Sequence, residues 1–177
     1  MDNINGIIES YTVASGQTIN AGDFVSYVNS LTKGTDTNLV SQTIKIGIYA
    51  KAVALSNTSV FIAFSYTSTG NNYLYGVVCT ISGTTITAGS ITQLSSTKYT
   101  GTVKGVAKLS STSVFIGYVY QGGNRPLSGM VCTINGTTIT AGTATQLLAN
   151  TNTGDGESFS VALLSSTKVF IGYSVAN

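Results

Sequence analysis

Apolar positions in this chain come in short runs, separated by Ser, Thr, Asn and Gly, and the runs repeat. The phrase VALSNTSVFI at residues 53–62 returns as VAKLSSTSVFIGY at 106–118 and as VALLSSTKVFIGY at 161–173. Between these stands GVVCTISGTTITAG at 76–89, which returns as GMVCTINGTTITAG at 129–142. The most apolar run, Val114 to Tyr120, is too short for an ordinary helix and is rich in β-branched and aromatic residues. It is apolar at successive positions, which predicts a strand packed on both faces. Asn135-Gly136 predicts a tight hairpin turn of type I′, whose two central residues need positive φ. The lone proline, Pro126, falls in a predicted loop.

Each repeat thus reads as four short antiparallel strands, for example 106–109, 114–120, 129–134 and 137–142. A period of about 50 residues marks an array whose units bury their faces on one another. The predicted fold class is all-β: a β-propeller-like array of four-stranded blades, with a β-sandwich or solenoid as the other arrangement the pattern allows. Whole blades are expected at 53–94 and 106–147. The phrase at 15–22 matches 82–89, and residues 7–13 take the place of a third strand. Half-blades are therefore expected at 6–30 (strands three and four) and 159–175 (strands one and two). Their completion is expected by self-closure within the chain or by strand exchange with a second copy. A heterologous contact of the second kind closes into a ring, with six blades from two chains as the favoured count. Residues 31–48 exceed their counterparts in length and predict a loop with an added strand at 44–49, or an arm that docks on a larger assembly.

Composition changes this picture in three ways. Only 8 % of residues are charged, with an ordinary apolar fraction, the reverse of a disordered chain. A net charge of +2, scattered along the chain, predicts neither a nucleic-acid partner nor an anionic membrane. No apolar run approaches the roughly 18 residues a spanning helix needs, so a soluble chain is expected. Nothing after Met1 resembles a secretory signal, and synthesis in a cytoplasm with release by assembly or lysis is the expectation.

The candidate chemistry is sparse. Histidine is absent from all 177 residues, which removes Ser-His and Cys-His nucleophile pairs and the commonest zinc ligand. Of the six carboxylates, only Asp155 and Glu157 lie close in sequence, in a polar loop whose spacing matches no EF-hand. Cys79 and Cys132 occupy the same place in successive repeats and predict equivalent core slots rather than a disulfide or metal site. No catalytic residue, metal or cofactor is expected. The candidate ligand-binding residues are tyrosines beside the loops at 67–72 and 121–126: Tyr66, Tyr73 and Tyr75 in one repeat, Tyr118 and Tyr120 with Arg125 in the next. Such groups stack on sugars and hydrogen-bond them, and they equally suit packing in a β core.

The motifs at 60–64 and 74–89, with the segments at 7–16 and 23–29, resemble propeller-type repeat proteins of phages and prophages of Gram-positive bacteria, notably clostridia. The likeness covers most of the chain. It implies a non-enzymatic virion protein, a surface decoration or a head or tail appendage, whose partners are copies of itself and other virion proteins. It implies location in the virion, with host attachment through a cell-surface glycan as the alternative function.

Overall fold

The computed structural model describes residues 46–68, 71–97, 100–120, 126–149 and 159–173, all within one compact unit, Gly34–Asn177. These residues are all-β and antiparallel, with no helix among them. The predicted half-blade at 6–30 and nearly all of the segment at 31–48 lie outside the described residues.

The first sheet is a meander of β1 (Ile46–Ser56), β2 (Ser59–Ser68), β3 (Asn71–Ser82) and β4 (Thr85–Ala88), with β5 (Thr92–Ser95) also on β3. The second repeats it with β6 (Thr100–Ser110), β7 (Ser113–Tyr120), β8 (Leu127–Asn135), β9 (Thr138–Ala141) and β10 (Thr145–Leu148). The third consists of β11 (Phe159–Ser165) and β12 (Lys168–Tyr173). From Ile46 onward the residues of the expected added strand are the start of β1, set off by a register shift between Ile46 and Ala50.

The recurring phrases build recurring turns. In each first hairpin a serine hydroxyl accepts the amide two residues on, Thr58 to Ser56, Thr112 to Ser110 and Thr167 to Ser165, at 3.1, 3.1 and 3.3 Å. This local bond fixes the reversal without glycine. The second hairpins use glycine differently from the prediction. Asn135 is still paired, with Thr138, so the turn residues are Gly136-Thr137, and Gly136 has φ 61°. Glycine supplies the positive φ that a tight hairpin needs at its first central position, at no steric cost. This explains why serine serves equally at the preceding position, where Ser82 pairs with Thr85 before Gly83 at φ 59°.

The predicted fourth strand at 137–142 is β9, and β10, beyond those residues, adds a second short piece to the same edge. β4 pairs with the end of β3 and β5 with its start, and β9 and β10 divide β8 in the same way. Between the pieces the outer chain carries one residue more than its partner, a bulge. Glycine stands there because backbones come close: the Gly89 amide donates to the Val78 carbonyl at 2.8 Å. A Cβ added at Gly142 would stand 2.2 Å from the Val131 carbonyl oxygen, a contact against rigid backbone. Gly142→Ala is therefore expected to lower unfolding free energy by about 2 kcal/mol, the usual cost of overpacking, as a shift in urea midpoint at unchanged slope.

The sheets pack face on face in chain order. Phe61, Ala63, Leu74 and Val78 of the first sheet share one core with Val114, Ile116, Tyr118, Met130 and Cys132 of the second. Alternation along β7 turns Phe115 and Gly117 to the opposite face, where the third sheet lies. A Cβ on Gly117 would come within 2.8 Å of the Phe159 ring, and one on Gly105 within 2.6 Å of Val161. The first strands adjoin: β6 lies against β1 on one side and β11 on the other. The Lys108 ammonium donates to the Leu55 carbonyl across the first of these contacts. Among the described residues the strands form three open sheets, with no closed barrel or ring.

Candidate functional site

The sequence-predicted tyrosines part company in the structure. In the first sheet, Tyr66 of β2 faces Tyr73 of β3 in register, and Tyr75 lies two residues further on the same face. Phe64 stacks on Tyr75 with centroids 6.0 Å apart, and Tyr66 meets Tyr75 edge to face at 5.7 Å. The three tyrosines are half-buried and form an aromatic strip continuous with a small core of Phe64, Val77 and Cys79. Burial, with Tyr66 and Tyr73 beside it, holds the Tyr75 phenol above its ordinary pKa. The strip offers ring edges and neutral hydroxyls, the equipment for an uncharged polar ligand.

In the second sheet the corresponding residues do other work. Tyr118 is fully buried in the core between the sheets, so it presents no surface to a ligand. Its hydroxyl has no hydrogen-bond partner, and burial drives its pKa far above the usual tyrosine range. Tyr120 leans on it edge to face at 5.7 Å and is half-buried. Arg125 lies outside the described residues. Among the described residues the second sheet has a neighbour on this face, whereas the first carries its strip there without one.

Neither a family model, nor a curated protein, nor a solved structure matches this chain.

Cys79 and Cys132 are free and buried, in equivalent slots of successive sheets. Burial raises both thiols, Cys132 to about 11, which leaves them protonated and unreactive at neutral pH. Among the described residues no group of three His, Cys, Asp or Glu converges to hold a metal. All six carboxylates, Asp155 and Glu157 included, fall outside the described residues. What the described residues offer is apolar and aromatic surface rather than titratable chemistry.

Proposed function

We propose that this chain is a non-enzymatic assembly module of a bacteriophage virion, a surface decoration or a head or tail appendage, built of β-propeller blades. The observation that carries the architecture is the repeated interface. Phe61 and Val78 pack forward on the second sheet, Gly105 and Gly117 lie against Phe159 and Val161 of the third, and first strand adjoins first strand each time. Four-stranded antiparallel sheets repeated face on face, with their first strands adjoining, are the kind of unit a propeller repeats around its channel. The low charge and Thr-rich strand surfaces suit a part that works by packing. The virion assignment rests on the resemblance of the repeat motifs to phage proteins, and its partners are then copies of itself and neighbouring virion proteins.

The test is to raise antibody to the chain and label particles purified from an induced host. Regular label on intact particles, with class averages of the purified chain showing radial blades, is the expected result. Absence of the chain from washed particles sinks the virion assignment, and averages showing a linear stack sink the propeller. The aromatic strip Tyr66, Tyr73 and Tyr75 supports a second reading, recognition of a host glycan. That reading requires the purified chain to bind host cell walls and Tyr73→Ala to lose most of that binding.

A further inference from the structure

The hairpin of β8 and β9 carries a reactive pair that its twin lacks. Asn135 closes the ladder opposite Thr138, and Gly136 begins the turn at φ 61°. Ser82 and Gly83 hold the same places between β3 and β4, with Gly83 at φ 59°. The two turns share a backbone and differ in chemistry, a hydroxyl in one and a carboxamide in the other. Asn135 and Gly136 are both exposed, and a Cβ added at Gly136 would meet nothing within 4 Å. The Gly136 amide lies outside the ladder, and among the described residues no acceptor takes its proton. Nor does a hydrogen bond from any of them hold the Asn135 carboxamide. Asn57 is exposed in another hairpin turn and is the contrast. There the following amide, of Thr58, donates to the Ser56 hydroxyl at 3.1 Å and belongs to a β-branched residue.

We infer that Asn135 is a site of self-modification, converted to aspartate and isoaspartate by the backbone of Gly136, with water as the only co-reactant. The Gly136 nitrogen attacks Cγ of Asn135 and forms a bond to it. The bond from Cγ to the side-chain nitrogen breaks, and ammonia leaves with the proton the glycine amide gives up. Water then opens the cyclic imide on either side. Cleavage between the nitrogen and Cγ gives aspartate. Cleavage between the nitrogen and the backbone carbonyl carbon gives isoaspartate, with the chain routed through Cβ and Cγ. The extended backbone of Asn135 turns the nitrogen away from Cγ, so the peptide between the two residues must rotate first. That gives up only the last pair of the ladder, and glycine accepts the new φ. The consequence falls on the packing between sheets. A Cβ on Gly89 would stand 2.7 Å from the Thr137 Cβ, so this turn rests on the first sheet's bulge. Ile134 and Ile139, beside the turn, are each 5 % exposed in the shared core, and the Ile134 amide donates to the Thr112 carbonyl at 2.8 Å. Isoaspartate lengthens the backbone between Ile134 and Gly136, which breaks the register of Asn135 with Thr138. Either product adds a carboxylate to a chain whose net charge is only +2. None of this depends on what the chain assembles with.

Ageing the full chain at neutral and mildly alkaline pH, followed by peptide mapping with mass spectrometry, tests the site. Asn135 is expected to convert at least about tenfold faster than Asn57, where the attacking amide must first lose a hydrogen bond. Mapping also separates Asn135 from Asn5, the other asparagine followed by glycine. The rate should rise with pH, and isoaspartate should appear beside aspartate, the mark of a cyclic imide. Asn135→Ser copies the Ser82-Gly83 turn, so it should fold as the parent does and lose the acidic product at this position. The isoaspartate form, isolated by ion exchange, should exchange its amide hydrogens faster along β8 and β9 and at the parent rate along β11 and β12. Conversion at Asn135 no faster than at Asn57, or aspartate without isoaspartate, overturns the site. Unchanged exchange along β8 and β9 overturns its effect on the packing.

Discussion

Phe61→Ala is expected to lower the unfolding free energy by about 4 kcal/mol, while Phe170→Ala lowers it by less than about 1 kcal/mol. The two residues hold the same place in the same phrase, so sequence context does not separate them. Packing does. Phe61 is 0 % exposed, lies over Gly76, and shares a core with Val114, Ile116 and Met130. Its removal loses the transfer energy of a benzyl group and leaves a cavity walled by two sheets that cannot both collapse into it. Phe170 stands on the forward face of the third sheet and is 57 % exposed, so alanine there removes contacts already shared with water. Urea denaturation at concentrations that keep chains apart reads both values. Equal losses at the two positions would mean that the third sheet is covered in solution as fully as the first.

The same pair shows what could be read from the chain and what could not. The strands, the first hairpins and the equivalence of Cys79 with Cys132 were legible, because each depends on local alternation and turn chemistry that the repeats state plainly. The Asn-Gly pair was legible as a turn but misplaced by one residue, since the dipeptide does not say whether asparagine enters the turn or closes the ladder. The further edge strands β5 and β10 were hidden behind Ala-Gly-Ser and Ala-Gly-Thr, where a glycine signals a close backbone approach only once its partner is known. Tyr118 could be read as a ligand-binding or a core residue, because periodicity gives the face of a side chain and not what lies opposite that face. For the same reason nothing in the sequence separates Val131 from Val78, although one is open and the other sealed. Repetition is informative about units and silent about the places where the series is interrupted.

Alkaline pH should destabilise this protein through its buried thiols and phenol. Cys132 is fully buried, and burial lifts its thiol to about 11 against an ordinary value near 9. Tyr118 is shifted in the same direction by the same cause, and Cys79 follows. A folded state that binds these protons more tightly than the unfolded chain has its full stability below the unfolded pKa values, at pH 9 and under. Above that, the unfolded chain releases protons first, and stability falls as pH rises toward and through the folded values. Cys132 alone accounts for roughly 2–3 kcal/mol between pH 9 and 11, at about 1.4 kcal/mol for each unit of difference. The expected melting temperature is flat from pH 6 to 9 and drops steeply beyond it. Cys132→Ala should flatten part of that drop at some cost in packing. Tyr118→Phe should flatten another part while leaving neutral-pH stability equal or slightly higher, because it deletes a buried hydroxyl that has no partner. If Tyr118→Phe instead lowers stability at neutral pH by more than about 1 kcal/mol, the hydroxyl holds a bond in solution and the core between the sheets contains a polar contact.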